Sequence, residues 1–295
     1  MNVVINVDKP QGLTSHVVCR RVRTELGVNK TGHTGTLDPL ATGVLLVCCN
    51  RATKLVDYLV GLDKEYVVRM KLGVETDTLD GEGLPVKEMP VPPLTTSVIE
   101  DALGKYIGEI MQTPPMYSAI KMGGVPLYKM ARNGLEVERK ARRVNIREIE
   151  LMQLAPPFVE LRVSCSKGVY IRTLCCDIAR DIGTCGYVDS LRRTRVGGFD
   201  VAQALQLGQL SKSDLSANTG IGYHSMDDAL GHLREVTLTS DEVRRLTNGR
   251  TLAGMASVLQ EGQHMRVKGP DGRFVAVASV TGEGIRMSAL LSDVT

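Results

Sequence analysis

The densest concentration of chemically capable residues is Lys30–Gly43, which reads Lys-Thr-Gly-His-Thr-Gly-Thr-Leu-Asp-Pro-Leu-Ala-Thr-Gly. It combines one imidazole (His33), one carboxylate (Asp38), three glycines and four threonines. Gly27 and Gly32 have the spacing of a phosphate-binding loop, but His33 stands where that loop needs its lysine. The preceding residues also carry a helical pattern rather than a strand, so a nucleotide-triphosphatase site is excluded. Glycines let a backbone approach a ligand closely. A proline after Asp38 pushes that residue towards extended geometry. On residue types alone, an Asp-Pro turn with His33 hydrogen bonded inside the loop explains the segment at least as well as a site does. One carboxylate without an acidic partner argues against glycoside hydrolysis. No Gly-x-Ser-x-Gly elbow or Cys–His pair supports acyl transfer.

The seven cysteines (19, 48, 49, 165, 175, 176, 185) are odd in number, include two adjacent pairs and contain no Cys-x-x-Cys. That fits reduced thiols in a cytoplasm rather than a disulfide framework. The five histidines show no ligand spacing, so no metal site is expected.

The elements that must position these residues are those of an ordinary globular chain. It has 295 residues, 43% hydrophobic and 23% charged, with no Trp and only 3 Phe, so its core must be aliphatic. No apolar run approaches the ~20 residues of a membrane span, and the N-terminus lacks a signal-peptide pattern. Net charge is +3, unevenly spread: +3 over residues 1–60, −3 over 61–130, +4 over 131–200 and −1 over 201–295. Three tight basic clusters stand out: Arg20, Arg21, Arg23; Arg139, Lys140, Arg142, Arg143, Arg147; and Arg192, Arg193, Arg195. Each alone fits a solvated face. Together they point to a polyanionic partner.

Periodicity and breakers predict a strand over 2–7 and a Pro/Gly turn at 8–12. They predict a helix over 15–26 stopped by Gly27, a loop over 28–43, a buried strand at 44–48 and a helix over 52–59. Strands follow at 66–72, 117–122, 143–152 and 157–166. Helices follow near 97–106, 126–133 and 171–182, with partial helix over 201–218. Beyond Leu233 a helix at 240–248 and short strands at 264–268, 273–280 and 285–291 make a small β-rich module.

Gly32-His33-Thr34-Gly35-Thr36-Leu37-Asp38-Pro39-Leu40-Ala41-Thr42-Gly43 resembles the active-site motif of the TruB family of pseudouridine synthases. The resemblance continues, in order, through Asp8-Lys9-Pro10-Gln11-Gly12, Lys64-Glu65-Tyr66, and Leu72-Gly73 with Thr76-Asp77-Thr78 and Asp80. It runs on through Pro115-Met116-Tyr117-Ser118-Ala119, Ser166 to Arg172, and Leu191-Arg192-Arg193. Seven blocks in register over about 200 residues are specific where any one alone is not.

The resemblance implies an α+β fold: a pseudouridine-synthase-like mixed, largely antiparallel central sheet with flanking helices, plus a small C-terminal PUA-like β-rich domain. It implies a catalytic domain over 1–230, with an RNA-gripping insertion at about 113–147, and a PUA-like RNA-binding domain over 231–295. It implies isomerisation of uridine 55 in the T-loop of tRNA, by base flipping, glycosidic cleavage and C5–C1′ rejoining, with no cofactor. The tRNA T-arm would be the partner of a cytoplasmic monomer that needs neither a membrane nor a protein partner.

The same resemblance makes Asp38 the essential carboxylate, Arg172 its pairing arginine, and Tyr66 the ring that stacks on the flipped base. Substrate-binding roles would fall to His33 in base extrusion, Lys9 near the pocket, Asp80 beside the arginine, and Tyr170 and Leu191 in the pocket wall. A guide-RNA-dependent relative and a non-catalytic RNA-folding module are the alternatives from other classes. Thr34, Leu40-Ala41 and the absence of a basic tail favour a stand-alone enzyme, and Asp38, Tyr66 and Arg172 together argue against pure binding. A small-molecule enzyme has only ordinary composition in its favour.

Overall fold

The computed structural model describes residues 2–213, 221–253 and 260–291. In chain order, the strands of the large sheet are β1 (Val3–Lys9), β2 (Thr31–His33), β3 (Thr42–Cys49), β4 (Lys64–Leu72) and β5 (Gly108–Gln112). They continue with β6 (Arg142–Ala155), β7 (Phe158–Cys165), β8 (Gly186–Val196), β9 (Phe199–Asp200) and β10 (Tyr223–Ser225). The spatial order is β10-β1-β3-β8-β4-β7-β6-β5, with β2 beside β3 and β9 beside β8. Every pairing is antiparallel except β3 with β8, where Gly43 stands opposite Arg193. That parallel seam joins the two halves of the sheet.

The described residues form five helices of more than one turn: α1 (Ser15–Leu26), α2 (Thr96–Gly104), α3 (Leu127–Arg132), α4 (Ile171–Asp181) and α5 (Ser240–Thr247). Helix α1 begins where Thr14 accepts a hydrogen bond from the Val17 amide (3.2 Å). It ends at Gly27, whose φ of 65° lies in the left-handed region that favours glycine. Its buried stripe (Val18, Cys19, Val22, Leu26) packs with Ile5, Val7, Leu45 and Val47 of β1 and β3. On the other half, α2 and α4 pack with β4, β6 and β7 through Ile99, Leu103, Leu174 and Ile178. The core is aliphatic, as the composition requires.

A second, four-stranded sheet forms the C-terminal β-rich domain: β11 (Arg234–Thr237), β12 (His264–Lys268), β13 (Phe274–Thr281) and β14 (Gly284–Leu290). Val277 and Leu291 join a cluster with Val4, Val44 and Leu46 of the large sheet. The Lys54 ammonium donates to the Leu290 carbonyl (3.0 Å) across the same junction.

Several local expectations change. The loop expected over 28–43 contains β2, paired along β3. The helix expected over 52–59 is a 3-10 stretch, Asn50–Leu55, running into one α turn. Of the strand expected over 117–122 only Lys121–Met122 pairs, with Val125–Pro126. The 201–218 segment holds two 3-10 turns, and its residues past 213 lie outside the described residues. Strands β5, β8 and β11 have no counterpart in the sequence reading. Arginines and serine interrupt the apolar alternation of β8, and that masks it.

Candidate active site

Asp38 sits in the loop between β2 and β3, and the residue on each side of it is pinned separately. Ser15, the first residue of α1, accepts from the Leu37 amide (2.8 Å) and donates to the Leu37 carbonyl (3.1 Å). The Pro39 carbonyl accepts from the Gly12 amide (2.8 Å) and from the Lys9 ammonium (3.3 Å). Lys9 also donates to the Pro10 and Leu13 carbonyls, at 2.9 and 2.6 Å. The Asp8–Gly12 turn is therefore a clamp on the Asp38 loop. Burial lowers the Lys9 pKa to about 8, while Asp38 pulls it upward.

Arg172, the second residue of α4, reaches under this loop. Its Nη1 donates to the Thr78 carbonyl and its Nη2 to the Tyr117 carbonyl, both at 2.7 Å. Nη2 lies 2.9 Å from Asp38 Oδ2, and Nη1 lies 3.5 Å from Asp80 Oδ2. Asp80 is fixed in turn by the Thr78 hydroxyl (2.6 Å) and the Glu82 amide (3.1 Å). Leu79 before it takes a φ of 63°. An arginine fork thus stands between two carboxylates. Burial raises the Asp38 pKa above the ordinary carboxylate value. Arg172 opposes that rise and Asp80 adds to it.

The Asp38 carboxylate opens into a cavity of about 260 Å³, whose walls include Tyr66, Tyr170, Arg172 and Leu191. Tyr66 projects from β4, opposite Arg193 of β8 and Val163 of β7. Burial pushes its pKa up against the pull of Arg193, so its hydroxyl holds its proton at neutral pH. Tyr170 is held at the start of α4 by Gln112. The Tyr170 amide donates to Oε1 (2.8 Å), and Nε2 donates to the Tyr170 carbonyl (3.0 Å). A flat ring would find an aromatic wall, an aliphatic wall and one oriented carboxylate.

Three of the residues expected at the site do not line this cavity. Lys9 lies beneath the loop as a clamp, and Asp80 lies behind Arg172. His33 sits on β2 beside the loop, half-buried, with its Nδ1 buried and lacking a hydrogen bond. Burial lowers its pKa, and Arg193 and His16 lower it further, so the ring is neutral at pH 7.

Arg192, Arg193 and Arg195 each have partners within the protein. Arg192 clasps both Asp8 oxygens (3.1 and 2.8 Å), and Arg195 pairs with Glu65 (3.0 Å). Arg193 is 2% exposed and holds the site's backbone together. Its Nε donates to the Val44 carbonyl (2.7 Å) and its Nη2 to the Gly35 carbonyl (3.1 Å). Arg193, Ser15, Gln112 and Lys64 are site residues that sequence reasoning missed. Lys64 lines the cavity, and burial lowers its pKa to about 8. For Arg193 a signal existed: Leu191 and Arg193 fall on one face once 186–196 is taken as a strand.

The TruB family pseudouridylate synthase N-terminal domain model matches residues 23–171. The tRNA pseudouridylate synthase B C-terminal domain model matches residues 172–241. A protein named tRNA pseudouridine synthase B from Aromatoleum aromaticum is 43% identical over 276 residues, covering 91% of this chain and 89% of its own. A protein of the same name from Clostridium tetani is 38% identical over 293 residues, covering 99% of this chain and all of its own. Among solved structures, a chain in the crystal structure of a Cbf5-Nop10-Gar1 complex superposes with a TM-score of 0.76 at 26% identity. The match covers 98% of this chain and 85% of that one. The mixed sheet is therefore that of a pseudouridine synthase. The chain belongs to the TruB family of pseudouridylate synthases.

Proposed function

We propose that this chain isomerises a uridine of tRNA, at position 55 in the T-loop, to pseudouridine. The observation that carries the reading is Asp38, anchored through both neighbours and paired with Arg172 at the mouth of a cavity walled by Tyr66. The target base leaves its stack, at a cost of a few kcal/mol, and enters the cavity. Tyr66 stacks on it, and Tyr170 and Leu191 close the sides. Asp38 acts as an ionised carboxylate while the N1–C1′ bond breaks. The base turns, C5 joins C1′, the C5 proton leaves, and N1 takes up a proton in place of its broken bond to C1′, so the product is an isomer. No electrons or groups are taken from elsewhere.

Arg172 holds the Asp38 carboxylate oriented and charged, and Asp80 holds Arg172. Lys9 fixes the loop. His33, at the loop's edge, serves in extruding the base. In this reading residues 1–230 form the catalytic domain, with 113–147 as an RNA-gripping insertion, and 231–295 form a PUA-like RNA-binding domain. The enzyme works in the cytoplasm as a monomer, on tRNA alone.

The test is tritium release from an unmodified tRNA transcript labelled at uridine C5. The expected result is release from one T-loop uridine by the wild type. Asp38→Asn should release none while still binding tRNA. A wild type that binds tRNA tightly yet releases nothing would sink the stand-alone reading and favour a guide-dependent enzyme.

A further inference from the structure

Of the three basic clusters in the sequence, one has a partner within the protein for every arginine: Arg192, Arg193 and Arg195. A second is largely neutralised: Arg139 faces Glu136, Arg143 faces Glu109 and Arg147 faces Asp63. The third, on α1, is different. Arg20, Arg21 and Arg23 are all exposed, and none forms an ion pair among the described residues.

Helical geometry sorts these arginines. At 100° per residue, His16, Arg20 and Arg23 fall within one narrow stripe. Arg21 points well away from it, towards the side that carries Glu25, the helix's single acid. The stripe therefore carries two guanidiniums and one imidazole and no acid, over a length of about 10 Å. Its near end is tied to the catalytic loop. Ser15 holds Leu37, and β2 runs back beneath α1. The Thr31 hydroxyl donates to the Cys19 carbonyl (3.1 Å), and His16 lies close enough to His33 to lower its pKa.

We infer that the His16–Arg20–Arg23 stripe of α1 binds the phosphate backbone of the substrate RNA beside the target nucleotide. The inference rests on the RNA-modifying function proposed above. Two features select this occupant. An acid-free row with two unpaired guanidiniums complements a polyanion. The row also begins one residue after Ser15, which holds the Asp38 loop through both backbone groups of Leu37. Phosphate contacts of this kind fix register rather than sequence.

The test compares Arg20→Gln/Arg23→Gln with Arg21→Gln, all on the exposed side of a helix and all keeping good helix formers. Initial rates on unmodified tRNA are measured across a salt series, with circular dichroism to establish that each variant is folded. The double variant should raise KM about tenfold at low salt, far more than it changes kcat. It should also flatten the log–log salt dependence by about 1.5, close to two lost phosphate contacts. Arg21→Gln should match the wild type in both. An active wild type with the double variant equal to it in KM and salt slope overturns this inference alone. Equal losses from Arg21→Gln and from either stripe residue overturn it too, because general charge and not the stripe would then be responsible. A wild type inactive on tRNA removes the proposed function itself.

Discussion

Arg172 is the buried partner of Asp38: its side chain is 6% exposed against 37% for the carboxylate, with 2.9 Å between Nη2 and Oδ2. The guanidinium spends its other donors on the Thr78 and Tyr117 carbonyls and faces Asp80. The pair is thus asymmetric. The cation is fixed to the backbone on the protein side, and the anion is presented to the cavity. The rigid element is the arginine, and the carboxylate takes its direction from it.

That asymmetry makes Arg172→Lys a severe change despite the retained charge. An ammonium is a point donor and cannot span two carbonyls and two carboxylates as the planar fork does. The single-turnover rate of uridine isomerisation should fall about 100-fold, the scale of a misplaced reacting group. The pH profile should also move. Arg172 lowers an Asp38 pKa that burial raises, so a weaker counter-charge lets it climb further. The acid limb of kcat/KM in the wild type should already lie above the ordinary carboxylate value of about 4. In Arg172→Lys it should lie higher still. An unmoved acid limb would mean that Asp38 ionisation does not govern the rate.

The raised Asp38 pKa also has a consequence for stability. A carboxyl that is harder to ionise in the fold binds its proton more tightly there than in the unfolded chain. Between the unfolded and folded pKa values the native state carries more protons, so stability falls as pH rises through that window. Above the folded value the full cost is present, and below the unfolded value it is gone. Asp38→Asn removes that cost while keeping a carbonyl for Arg172. At pH 7.5 its Tm should equal or exceed that of the wild type, and any gain should shrink as pH falls towards 4. Thermal unfolding of both proteins at several pH values checks this. A Tm several degrees lower at pH 7.5 would make Asp38 a structural residue.

Much of this arrangement was legible in the sequence, for identifiable reasons. Helix α1 carries its cap, stripe and stop locally, β4 and β7 alternate cleanly, and β1 is a mostly apolar run closed by a Pro/Gly turn. Asp38, Arg172 and Tyr66, 28 to 134 positions apart in the chain, come together as the family resemblance implies. What remained hidden depends on tertiary pairing. Strand β8 lies between β3 and β4, so its arginines find Asp8, Glu65 and backbone carbonyls that no local pattern reveals. The same pairing gives each arginine of that cluster a partner within the protein and buries Arg193. Lys9 and His33 were expected near the substrate. The fold puts the first under the loop and the second at its side, a distinction of a few ångströms that residue spacing does not carry.

The last glycine of the catalytic segment gives the sharpest test of that scaffolding. Gly43 has a φ of 98°, and a Cβ placed there would lie 2.1 Å from the Arg193 carbonyl oxygen. The obstacle is backbone, at the parallel seam where β3 meets β8, so no side-chain rotation relieves it. Gly43→Ala must part the two strands, and with them the bonds from Arg193 to Val44 and Gly35 that hold the loop. A loss of about 3 kcal/mol or more follows from combining backbone strain with a steric clash. Gly35→Ala is the control within the same segment. Its Cβ would meet only the Arg193 guanidinium, at 3.5 Å, an ordinary contact with a side-chain end. Its stability should stay within about 1 kcal/mol of the wild type. Urea titration of the two variants, at matched m-values, separates these outcomes. Equal midpoints would mean that the β3–β8 seam has room to spare, and that the glycine is required for something other than close approach.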